Sequence, residues 1–94
     1  MHPAFEAVSK RLDARSPLDV DGTPFMLHLV EILEADEQTA HIIVEAHSDS
    51  EHYMGELHLR RERLDDIDQL EPRIIATIER IIRDDLPPGA RELI

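Results

Sequence analysis

Three runs of alternating residues between positions 24 and 60 constrain this chain more than anything else in it. Phe25 to Glu34, Thr39 to His47 and His52 to Arg60 each alternate between two sets of side chains with a period of two, the pattern of a β-strand. In the first run Phe25, Leu27, Leu29, Glu31 and Leu33 share one side; Met26, His28, Val30, Ile32 and Glu34 share the other. In the second, Ala40, Ile42, Val44 and Ala46 oppose His41, Ile43, Glu45 and His47. In the third, Tyr53, Gly55, Leu57 and Leu59 oppose Met54, Glu56, His58 and Arg60. β-Branched residues gather in the middle run, which suits a central strand.

Short polar segments at 35–38 and 48–51 join the runs, and turns centred on Asp36-Glu37 and Asp49-Ser50 predict one register. Leu33, Ala40 and Leu59 then lie side by side, followed by Glu31, Ile42 and Leu57, by Leu29, Val44 and Gly55, and by Leu27, Ala46 and Tyr53. That face is apolar in every row but the one holding Glu31. The other face reads Ile32, His41, His58; Val30, Ile43, Glu56; His28, Glu45, Met54. A slip of one residue would mix the faces, so the pattern itself argues for this pairing.

The flanks supply helices. Residues 1–15 predict a short helix starting near Pro3, with Ala4, Phe5, Val8 and Leu12 in one stripe and Ser16-Pro17 ending it. Asp19 to Pro24 reads as a turn into the first strand; its Asp-x-Asp-Gly run lacks the spaced ligands and distal Glu of a calcium loop. A longer helix is predicted from Gln69 to Asp85. Asp68 would be its N-cap, Glu71 would complete a capping box, and Pro72 would sit in the first turn. Leu70, Ile74, Ile75, Ile78, Ile81 and Ile82 form its apolar stripe. Leu86-Pro87-Pro88-Gly89 ends it, leaving 87–94 as a tail. The expected fold is therefore α+β: a three-stranded antiparallel meander with an N-terminal helix and a longer C-terminal one, in a single domain of 94 residues.

Charge decides which partners are excluded. Ten basic residues against 21 acidic ones leave a net charge of −11, which repels nucleic-acid phosphates and anionic membranes. The helix–three strands–helix order is shared with double-stranded-RNA-binding domains, yet Asp65-Asp66-Ile67-Asp68 stands where those need basic residues, so no kinship is drawn. Lys10 is the sole lysine; an arginine-favouring genome, a salt-adapted host and a surface suited to a basic partner all fit that usage. The local basic cluster Arg60-Arg61-Glu62-Arg63 reads as a solvated strand end or an anion contact.

Catalytic chemistry finds little support. With no cysteine there is no disulfide, thiolate metal site or thiol nucleophile. The three glycines form no phosphate cradle, and no serine sits in a nucleophile elbow. No cofactor and no enzymatic activity are expected. No apolar run approaches the ~18 residues of a membrane span and no signal-peptide core is present, so a soluble cytoplasmic protein is expected.

Five of the six histidines lie between residues 28 and 58. In the predicted register His41 and His58 are direct neighbours, with Cβ atoms about 5 Å apart. His28 faces Glu45, and Glu56 lies one row away. These five residues are the candidates for ligand binding or pH sensing, imidazole being the side chain that titrates near neutrality. No metal is assigned, because Ile32 occupies the third place in the His41–His58 row. The main expectation is a non-enzymatic, acidic protein–protein interaction module. Met26, Val30, Ile32, Ile43 and Met54 would dock a partner, most simply a second copy in a homodimer and otherwise a basic, nucleic-acid-binding protein. The rival expectation is a small metal- or ligand-binding protein using the His/Glu face.

Overall fold

Helix α1 (Phe5–Ala14) is followed by strands β1 (Leu18–Val20), β2 (Thr23–Glu34), β3 (Thr39–His47) and β4 (His52–Arg60). A 3-10 turn (Arg61–Asp65), helix α2 (Ile67–Arg83) and strand β5 (Ala90–Leu93) complete the chain, in a computed structural model that describes residues 2–86 and 90–93. The fold is α+β: an N-terminal helix, a curled antiparallel sheet forming a half-barrel, and a longer C-terminal helix. The strands lie in sequence order, β1 to β4 antiparallel and β5 parallel to β4.

The sheet is larger than the expected three-stranded meander, and β1 was signalled in the sequence. Val20 pairs with Thr23 across Asp21 (φ 53°) and Gly22 (φ 90°), both left-handed. An Asp-Gly pair in that conformation is the two-residue turn whose twist suits a hairpin. Asp19 Oδ1 accepts the Gly22 N–H at 2.9 Å, so the Asp-x-Asp-Gly run serves its own backbone. Residues 90–93 of the expected tail pair with β4, and 87–89 and 94 lie outside the described residues.

Register between β3 and β4 follows the alternation throughout: Ala40 opposes Leu59, Ile42 Leu57, Val44 Gly55 and Ala46 Tyr53. Between β2 and β3 it holds from Leu27–Ala46 to Leu29–Val44 and then shifts. A β-bulge at Val30 pairs Glu31 with Ile43, Ile32 with Ile42 and Leu33 with His41. The extra residue flips everything after it. Ile32 turns into the core at 6% exposure, whereas Leu33, expected inside, is 41% exposed and Glu31 reaches solvent. The single charged side chain that spoiled the inner face is removed by this irregularity, which avoids burying an unpaired carboxylate.

Both helices pack on the inner face. Val8 and Leu12 of α1 and Leu70, Ile74, Ile75, Ile78, Ile81 and Ile82 of α2 join Phe25, Leu27, Ile42, Val44 and Leu57 in one core. Each such side chain contributes roughly 1.5–3 kcal/mol on leaving water. Helix α2 starts two residues earlier than expected. Asp66, not Asp68, is the N-cap, accepting the Gln69 N–H at 3.3 Å, so Pro72 falls inside the helix, where its missing N–H leaves one rung unmade. Ser16 ties α1 to the sheet: its Oγ donates to the Leu12 carbonyl and accepts the Leu27 N–H, both at 3.0 Å. Arg11 of α1 and Arg15 just after it reach Asp68 and Glu71 of α2 at 2.7–3.2 Å, surface pairs of small weight in water.

Candidate functional site

Because strands show alternate residues to opposite faces, packing both helices on one side leaves the other bare. Among the described residues no helix covers the outer face of β2–β4. Its rows are Leu33, His41, His58; Glu31, Ile43, Glu56; His28, Glu45, Met54; and Met26, His47, His52. Met26 and Val30 are 42% and 44% exposed, and Ile43 and Met54 are half-buried among their neighbours. Four of the five expected interface residues therefore share this surface. Ile32 does not: the bulge has taken it into the core, and Leu33 stands on the surface instead.

All five candidate histidine and glutamate positions occupy the same face, and their contacts divide them among three sets. In the first, His41 and His58 stack with ring centroids 3.8 Å apart and planes within 7°. Glu56 Oε1 sits against both, 2.8 Å from His58 Nε2 and 3.2 Å from His41 Nδ1. The shorter of these is a hydrogen bond and the longer a close contact between the ring and the carboxylate. In the second group the His28 and His47 rings lie 5.1 Å apart and 14° from parallel, joined by an Nε2–Nε2 hydrogen bond of 3.1 Å. Such a bond needs one nitrogen protonated and the other bare. Glu45 turns away from His28, its formal cross-strand partner, and contacts His52 Nε2 at 3.3 Å.

Sequence reasoning put His41 and His58 side by side and missed the His28–His47 contact. Those two residues are diagonal neighbours across β2 and β3, a relationship visible only once the sheet is twisted. The sixth histidine stands apart: His2 Nε2 bonds Glu34 Oε1 at 2.8 Å, and Arg61 reaches the same oxygen at 3.0 Å. The His2 hydrogen bond, with the Arg61 charge behind it, holds the Glu34 carboxyl below its ordinary range. Arg61 is thereby withdrawn from the basic cluster. Arg60 and Arg63 instead line an open concavity of about 340 Å³ with Arg73, Glu62 and Asp66 at the start of α2.

At the far end of the sheet the Tyr53 hydroxyl lies between two carboxylates, 2.6 Å from Glu51 Oε2 and 3.0 Å from Asp85 Oδ1. The hydrogen bond to Glu51, burial and the Asp85 contact together push the phenol well above its usual range. This contact fastens the end of α2 to β4. Among the described residues no helix is long and apolar enough to cross a membrane. No protein-family model matches the chain, and no curated protein or solved structure does so either.

Proposed function

We propose that this chain is a non-enzymatic interaction module that pairs with a second copy of itself through the outer face of β2–β4. The observation that supports this reading is the bare apolar set Met26, Val30, Leu33, Ile43 and Met54 on a face that neither helix covers. Charge favours that face too. Of 21 carboxylates, β2–β4 place only Glu31, Glu45 and Glu56 there, beside five histidines, so it is where two chains of net charge −11 repel least. Strands at about 4.8 Å spacing and nine residues long make a surface roughly 15–20 Å by 30 Å, which would be the centre of a contact whose rim the strand ends and turns complete. A standard interface takes about 800 Å² from each partner. Two-fold pairing would set the patch on its own copy.

Sedimentation equilibrium of the wild type, Ile43→Lys and Met26→Lys tests the reading. A lysine in place of Ile43 would lie between Glu31 and Glu56 and satisfy both within one chain, which keeps the fold while placing a charge in the contact. The wild type is expected to dimerise and both variants to stay monomeric with unchanged circular dichroism. A wild type that remains monomeric at high concentration overturns self-pairing.

A further inference from the structure

Self-pairing makes no use of the convergence of His41, Glu56 and His58. We propose that these three residues form a binding site for one divalent transition-metal ion of the zinc class, held by His41 Nδ1, Glu56 Oε1 and His58 Nε2.

Distance is the first argument. The three ligand atoms all lie within 4.8 Å of one another, and among the described residues this is the sole His, Asp and Glu set that converges so closely. Metal–nitrogen and metal–oxygen bonds of about 2.0–2.1 Å in a tetrahedron separate neighbouring ligand atoms by roughly 3.3 Å. The contacts to Glu56 Oε1, 2.8 and 3.2 Å, are already near that edge length.

The donor set selects the ion. Two imidazoles and one carboxylate suit zinc, nickel, copper or ferrous iron, while calcium and magnesium prefer oxygen throughout. Glu31, two strands away in the Glu56 row, adds negative potential, as does the acidic chain at large. By contrast, His28 and His47 offer two nitrogens with no third ligand, since Glu45 is directed at His52.

One rearrangement is required. An ion lies in the plane of each imidazole that binds it, and two parallel rings 3.8 Å apart share no such position. One ring must turn out of the stack about its Cβ–Cγ bond. Both side chains are part-exposed, at 23% and 19%, while Ile42 and Leu57 beneath them are fully buried and hold the backbone still. The protons balance without an added acid or base. In each ring the tautomer that carries its hydrogen on the other nitrogen leaves the ligand nitrogen's lone pair for the ion. Three protein ligands leave the fourth position to water.

The test is a titration of the metal-stripped full chain with Zn²⁺ against a chromogenic chelator, and with Co²⁺ followed by visible absorption. One ion per chain is expected, with cobalt bands of four-coordinate intensity. His41→Gln, Glu56→Gln and His58→Gln should each weaken zinc binding by about tenfold or more, as loss of even a supporting residue does at metal sites. His28→Gln should leave it unchanged. The same stoichiometry is expected in Met26→Lys, so the outcome is read apart from self-pairing. Absence of saturable binding overturns the proposal. So does zinc binding that Glu56→Gln and His58→Gln leave intact while His28→Gln abolishes it.

Discussion

Ile81 occupies the space above Gly55 that a side chain there would need: a β-carbon on Gly55 would overlap the Ile81 δ-methyl group. Glycine at the centre of β4 leaves room for that methyl, which would otherwise have to turn aside within the core. Gly55→Ala should destabilise the fold by about 1–3 kcal/mol, the usual effect of overfilling a core. Ile81→Val removes the overlapping methyl, so the double variant should lose less than the two single changes together. Urea unfolding of all three measures that coupling.

The bulge at Val30 makes a sharper claim. In a Met26→Lys background that removes self-pairing, Ile32→Ala should cost about 2–5 kcal/mol because the side chain is buried, while Leu33→Ala on the exposed side should stay within about 0.5 kcal/mol. Unbroken alternation would give the opposite order, so denaturant midpoints of the two variants decide between them.

Tyr53 is the chain's sole tyrosine and there is no tryptophan, so its ionisation can be followed directly by tyrosinate absorbance. Its pKa is raised in the fold from an ordinary 10.0, chiefly by the hydrogen bond to Glu51. The sign follows from linkage: this stability is complete below about pH 10 and is lost as pH climbs further, because the unfolded chain ionises first. Tyrosinate absorbance should therefore appear together with loss of helical circular dichroism, not before it. Tyr53→Phe should flatten this alkaline decline in stability.

Much of this architecture is legible in the residues themselves. The β3–β4 register follows from alternation alone, and with it the His41–His58 contact. The α2 stripe is equally plain, since six apolar residues recur at helical spacing. Where reading by alternation fails, it fails at Glu31. A charged residue in an otherwise apolar row was the sign of an inserted residue, and only a bulge moves Glu31 out and Ile32 in without disturbing Leu27 or Leu29. Asp21-Gly22 carried a hairpin signal as strong as any in the chain, obscured because β1 is only three residues long. The N-cap of α2 had several acidic candidates within reach, and composition could not choose between Asp66 and Asp68.

The parallel pairing of β5 with β4 has a consequence for how the chain reaches this state. Strands β1 to β4 are joined by short turns, so each can zip onto the one before it with little loop to close. Ala90 finds Gly55 across about 35 intervening residues, a longer and slower closure. Until β5 has paired, the outer edge of β4 presents unpaired backbone groups to any other strand it meets. The hazard of this fold therefore falls early in its history, and the last strand to arrive is the one that ends it.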